Sequence, residues 1–256
     1  MAFLSSLFRL TVGFIVVAVG SVLTICVLVP LLPWRVARIK VCNVYGKVVG
    51  QAIVRIAGVR PLFSHRERLD AAMPAIYVMN HTSALDAFLG IWMCPMGGCG
   101  VFKKQIVQVP FFGQLAWLSG HLLLDRANHQ SAVESLRQTA DLMKQHRLGV
   151  WIMPEGTRSK DGRLLAFKKG FVHLAIATGF PVVPVVVHGA HRNWKNGSFL
   201  EFVPMDMDIE VLAPIDSSTW KEETAGDHAQ AVHDLMAARL RDDQKPVALP
   251  VAAVAA

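Results

Sequence analysis

The chain has 256 residues, 53% of them hydrophobic, which suits one domain with a sizeable core plus a membrane-embedded part. Its formal net charge of +7 points to an anionic membrane surface or anionic substrates. Nucleic acid is disfavoured, because the basic residues are spread out and show neither zinc-finger spacing nor an aromatic-rich RNA signature. Cys26, Cys42, Cys94 and Cys99 are too few for a disulfide framework, and Cys94-x4-Cys99 lacks a second pair for zinc, so all four read as free thiols.

From Leu10 to Trp34 there is no charged residue, with Arg9 before and Arg35, Arg38 and Lys40 after. As a helix this run spans about 37 Å, enough for a bilayer core of about 30 Å. It is too long for a typical signal-peptide core and no clear cleavage site follows. The reading is a membrane anchor, with Gly13, Gly20, Pro30 and Pro33 leaving a re-entrant path open. The basic flank places the remainder on the cytoplasmic face of the inner or cell membrane. Residues 36–58 read as a second helix. Lys40, Lys47, Gln51 and Arg55 lie on one side of it, and Val41, Val44, Val48 and Ala52 elsewhere. That pattern suits a helix at the lipid interface or one packed on the domain. Pro61 to Met73 reads as a polar connection.

Ala75 to Met79 reads as a short buried strand, ending at the polar corner Asn80-His81. A helix follows, with Thr82 and Ser83 as its capping residues. Met96 to Gly100 reads as a flexible corner, and His121 to Leu124 as a strand. Ser131 to His146 has the spacing of a helix, Leu148 to Met153 of a buried strand, and Phe167-Lys168-Lys169-Gly170 opens a short helix that runs to Thr178. Val182 to Val187 is a further buried strand, Glu201 to Leu212 a hairpin and Ala225 to Arg241 a terminal helix. Pro246 to Ala256 is expected to be disordered. Alternating strands and helices predict an α/β fold: a mostly parallel or mixed sheet flanked by helices, preceded by the membrane segment. The domain division is 1–60, 61–245 and 246–256.

Ligands of such sheets sit at strand ends, where both the His81 corner and Pro154-Glu155-Gly156-Thr157-Arg158-Ser159 fall. A carboxylate at Asp86, one turn into the helix, can hold the His81 imidazole in one tautomer and leave its other nitrogen free to take a proton. Ser83-x-x-Asp86 is equally a capping pair. Glu155 and Arg158 add an acceptor and an anion fork, with Gly156 permitting a tight path. Lys103 and Lys104 are either a solvated pair or the edge of an anion pocket.

Four segments in this order, Asn80-His81-x4-Asp86, the block from Lys103 to Arg126, the Glu155 motif and Val182-Val183-Pro184-Val185, resemble the glycerolipid acyltransferases. Among these the chain is most similar to the 1-acyl-sn-glycerol-3-phosphate acyltransferases, over roughly residues 75 to 190. The resemblance implies transfer of an acyl chain from a thioester, on coenzyme A or acyl carrier protein, to the sn-2 hydroxyl of lysophosphatidate. The product is then phosphatidate. His81 becomes the general base and Asp86 its orienting partner. Lys103 and Arg126 are basic positions, with Lys103 on the phosphate. Glu155, Gly156, Thr157 and Arg158 form the acceptor-binding set, and Lys168 and Gly170 match the stretch that follows it. Neither a cofactor nor a metal is expected, and Ser83 is a cap, not a nucleophile. Backbone amides near the start of the His81–Asp86 helix are the candidates for stabilising the oxyanion. Phe102, Phe111, Phe112 and Trp117 are candidates for an acyl tunnel. Alternatives within the family are glycerol-3-phosphate, a lyso-ornithine lipid or another lysophospholipid as acceptor. Outside it stand a thioesterase, which needs no basic pocket, and a non-catalytic lipid-binding protein, which needs no His–Asp pair.

Overall fold

The computed structural model of the chain describes residues 2–124, 129–194 and 201–247. Its N-terminal helix α1 (Ala2–Leu28) continues into a tighter turn, Val29–Leu31. The stretch Phe3–Leu31 is long and apolar enough to cross a membrane. It is also mostly uncovered, with Phe8, Phe14 and Leu23 exposed. It begins earlier than the charge pattern suggests and takes in Arg9, whose guanidinium donates to the carbonyl of Ile56 and to Ser5 Oγ.

The second helical stretch is α2 (Arg35–Tyr45), a wider π-helical turn at Gly46–Gly50, and α3 (Gln51–Ile56). It packs on the domain through Ile39, Cys42, Tyr45, Val49 and Ile53, so the buried face is not the valine face read from the sequence. Val44 and Val48 are exposed, beside exposed Lys40 and Lys47. Two glycines allow the packing. A Cβ on Gly46 would lie 2.3 Å from the Ile91 carbonyl oxygen, and one on Gly50 2.7 Å from that of Phe88. Arg35 Nε donates to Gly120 O at 2.9 Å and Arg38 Nη1 to Leu118 O at 2.5 Å. The start of α2 is thereby fixed to the carbonyl end of a later helix, where cations are favoured.

The remaining elements are β1 (Val59–Ser64), α4 (Arg68–Ala71), β2 (Ile76–Met79), α5 (Leu85–Met93), β3 (Gly98–Lys103), α6 (Phe112–Leu118) and β4 (Leu122–Leu124). They continue with α7 (His129–His146), β5 (Gly149–Ile152), α8 (Gly170–Thr178), β6 (Val182–Val187), α9 (Ala190–Asn193), β7 (Met205–Val211) and α10 (Ala225–Arg239). The sheet order is β1-β7-β6-β2-β5-β3-β4, with β6–β7 the antiparallel pairing and the other named pairings parallel. Alternate residues of the central strands feed two cores. Tyr77, Met79, Val183 and Val185 face α2, α3 and α5; Ile76, Val78, Val150 and Val186 face α7, α8 and α10. Burial on both faces is why these strands read as unbroken apolar runs.

Three readings need correction. The Pro61–Met73 connection contains β1 and α4; an edge strand bearing Arg60 and Pro61 lacks an apolar run, and its pairing with β7 is what makes it a strand. Gly98 to Gly100 lie inside β3 because they pair with Gly149 to Trp151 of β5, and position 98 takes glycine because a Cβ there would meet Cys94 Sγ at 2.4 Å. In place of a hairpin, β7 is a single strand shared between β1 and β6, and Trp194 bridges Phe202. All four cysteines are free. Most of the expected tail, residues 248–256, lies outside the described residues.

Candidate active site

β2 delivers His81 to the carboxyl end of the sheet, and the chain turns at once into α5. The regular helix begins at Leu85, and Ser83 Oγ caps it by accepting the Leu85 amide at 3.2 Å. Asp86 supplies the reciprocal half of the cap: its Oδ2 accepts the amides of Thr82 at 2.6 Å and Ser83 at 2.7 Å. The same oxygen lies 3.1 Å from His81 Nδ1. A carboxylate only accepts, so Nδ1 donates and Nε2 carries the free lone pair. The capping and orienting readings of Asp86 therefore hold together. Asp86 is fully buried, whereas the His81 side chain keeps 18% of its surface. Ser83 Oγ is spent on the carbonyl of Trp194 at 2.8 Å. The amides of Leu85 and Asp86 are also taken, by Ser83 Oγ and Ser83 O. These four amides are thus not free for an oxyanion.

β5 ends beside β2, in the register Val78↔Ile152, and brings the second motif against the first. Glu155 is buried, and its Oε1 accepts the His81 amide at 2.6 Å while Oε2 accepts that of Leu165 at 3.0 Å. Ser159 N donates to His81 O at 3.0 Å. The His81 peptide is thus held on both sides by residues more than 70 positions away. Burial pushes the Glu155 carboxyl up to about 8, against the pull of the two amides. Gly156 carries a φ of +72°, which a side chain would resist, and this turn swings Thr157 and Arg158 outward. Asn80, which the sequence reading left unassigned, pairs both amide atoms with the backbone of Val187 and joins the ends of β2 and β6.

In front of His81 opens a cavity of about 370 Å³. Ala87, Gly90, Ile91 and Cys94, at helical spacing, form one wall; Trp151 and Met153 of β5 form another. Gly156, Thr157 and Arg158 line it together with Lys103. Of the aromatic tunnel candidates, Phe102 and Phe112 line it, while Phe111 and Trp117 are exposed on the outside. Lys168 is on the surface, its amide bonded to Pro154 O, and does not line the cavity. Arg126 lies outside the described residues. Among the described residues, no group of His, Cys, Asp and Glu is placed to hold a metal ion.

Residues 60–188 match the family described as Acyltransferase. Over 244 residues the chain is 36% identical to a protein of Limnanthes douglasii named 1-acyl-sn-glycerol-3-phosphate acyltransferase, covering 95% of this chain and 86% of that one. This chain belongs to the acyltransferase family. A protein of the same name from Haemophilus influenzae is 34% identical over 179 residues, covering 68% of this acyltransferase and 71% of that protein. The crystal structure of the 1-acyl-sn-glycerophosphate acyltransferase of Thermotoga maritima superposes with a TM-score of 0.74, covering 91% of this acyltransferase and 92% of that chain. At 22% identity that likeness speaks for the fold alone.

Proposed function

We propose that this acyltransferase moves an acyl chain from a thioester to the sn-2 hydroxyl of 1-acyl-sn-glycerol-3-phosphate, producing phosphatidate. The observation that carries the reading is a His81–Asp86 pair facing an apolar cavity whose lining includes Lys103, Thr157 and Arg158. His81 Nε2 takes the proton of the acceptor hydroxyl as its oxygen attacks the thioester carbonyl. The tetrahedral adduct collapses, expels the thiolate of coenzyme A or acyl carrier protein, and the imidazolium returns the proton to that sulfur. Asp86 holds the tautomer and stabilises the imidazolium. The acceptor attacks directly, so no enzyme nucleophile is required; the engagement of Ser83 supports this.

Lys103 and Arg158, both on the cavity lining, take the phosphomonoester, which carries close to two charges. Glu155 serves the same site from below, by holding the His81 peptide. The cavity walled by Phe102, Phe112 and Ile91 receives the acyl chain. Residues 1–60 anchor the enzyme and residues 61–245 carry the chemistry. The exposed apolar α1, the exposed Val44 and Val48, and the outward Trp34 and Trp117 support attachment to a bilayer, at whose surface the lysolipid is met.

The test is acyl transfer by the purified enzyme in detergent with an acyl-CoA donor. Lysophosphatidate, glycerol-3-phosphate and no acceptor are run in parallel, for wild type and His81→Ala. Phosphatidate formed with lysophosphatidate and lost in the variant is the expected result. Turnover confined to glycerol-3-phosphate would overturn the acceptor, and equal thiol release without acceptor would overturn the transferase reading.

A further inference from the structure

The cavity lining is mostly apolar but includes Asn43, Tyr45, Ser119 and His121, and the first three are already engaged. Asn43 Nδ2 donates to Gly98 O at 2.9 Å, and Asn43 Oδ1 accepts the Gly97 amide at 2.8 Å. Ser119 Oγ donates to Ala116 O and accepts the His121 amide. Tyr45 pairs its hydroxyl with Ser21 at 3.1 Å. Burial pushes the Cys42 and Cys94 thiols far up, leaving neutral S–H groups that are weak partners.

His121 differs. Its Nδ1 accepts the Gly100 amide at 3.2 Å, which places the ring proton on Nε2. Burial, with Arg35 nearby, pushes the ring down to about 4, so it stays neutral near pH 7. The residue is partly covered as a whole, it lines the cavity, and Nε2–H has no acceptor among the described residues. Trp151 Nε1 also lacks an acceptor, but it is sealed against Gly90, where a Cβ would lie 3.0 Å away. The level of His121 is fixed by register. Gly100 sits opposite Trp151, three strand residues, or about 10 Å, before Lys103.

We propose that His121 is a specificity-determining residue for the acyl donor: among chains long enough to reach its ring, it selects those presenting an oxygen there. The proposal rests on the acyl-tunnel reading given above. A shorter chain leaves water on Nε2–H and meets no penalty. A methyl end that reaches the ring strips the donor of water and offers nothing in return. A hydroxyl at the same depth accepts the N–H and restores the hydrogen bond. The penalty for an unpaired buried donor corresponds to about 5- to 150-fold in kcat/KM.

The experiment uses the full chain in detergent with lysophosphatidate. Saturated acyl-CoA donors are compared in two-carbon steps, each beside its ω-hydroxy counterpart, for wild type and His121→Phe, which keeps a ring and loses the donor. In the wild type, kcat/KM is expected to fall at least five-fold at one chain length, and the ω-hydroxyl at that length to recover the loss. In His121→Phe both the fall and the recovery disappear. A cut-off of the same size in both proteins, with no gain from the hydroxyl, is a purely steric floor and overturns the proposal. So does a hydroxyl gain that persists in His121→Phe. The wild-type arms decide alone if the variant does not fold, since no fall or no recovery at any length is sufficient refutation. Absence of phosphatidate with every donor overturns instead the reading of the site as a coenzyme A-dependent lysophosphatidate acyltransferase, on which the proposal stands.

Discussion

Replacing Glu155 with glutamine keeps the shape of the side chain and removes one of its two acceptors. In the wild type the two oxygens receive the amides of His81 and Leu165, at 2.6 and 3.0 Å. Glutamine offers one oxygen and one NH2, so one buried amide must face a donor. That costs about 1–3 kcal/mol, and each kcal/mol lowers Tm by about 2–4 °C in a chain of this size. The catalytic effect follows from which peptide is disturbed. A shift of about 1 Å in the imidazole is worth on the order of 100-fold in rate. Steady-state assays on Glu155→Gln should therefore show kcat down about 10- to 100-fold, with the KM for lysophosphatidate changed by less than about two-fold. Burial also raises this carboxyl from 4.5 to about 8. The folded state then holds an extra proton between those values, so stability falls as pH rises through that range. Thermal melts of the variant should lack that slope. The opposite kinetic pattern, a raised acceptor KM at unchanged kcat, would mean that Glu155 touches the substrate and would refute the positioning argument.

Asp86→Asn leaves the ring without its carboxylate and the amides of Thr82 and Ser83 with a weaker acceptor, so kcat should fall about 10²–10⁴-fold. Single-turnover rates of the variant against wild type would check this, and an unchanged rate would refute the orienting role of Asp86. Lys103→Ala and Arg158→Ala should act on binding, each raising the KM for lysophosphatidate about 10- to 100-fold, while donor KM moves little. A larger loss in kcat than in KM would place them in the chemical step. Gly46→Ala forces a Cβ to within 2.3 Å of the Ile91 carbonyl oxygen and should destabilise the enzyme by about 1–3 kcal/mol, read as a lower midpoint in thermal or chemical unfolding. His121 binds fewer protons in the folded state between its lowered value near 4 and the ordinary 6.5, so stability is lost as pH falls through that range. The loss should reach about 1–3 kcal/mol and be absent in His121→Phe, as measured by melts at pH 4–7.

Much of this molecule is local in origin, and the sequence determined that part. β2, β5 and β6 are apolar runs because both sheet faces are covered, and an unbroken run is visible without knowing what covers it. The His81–Asp86 pair spans a single corner, so six residues suffice to state its geometry. The apolar α1 is likewise a property of composition, although its start depended on the contact that shelters Arg9. Tertiary structure decided whatever joins distant segments. That Glu155 clamps the His81 peptide depends on β5 lying beside β2. That His121 faces the cavity depends on the register of β4 on β3, and that Gly98 to Gly100 form a strand depends on their pairing with β5. β1 exists through its pairing with β7, nearly 150 residues away. Periodicity records which residues avoid water; it carries no record of which buried backbone groups will find one another. That choice is made by hydrogen-bond geometry when the layers pack.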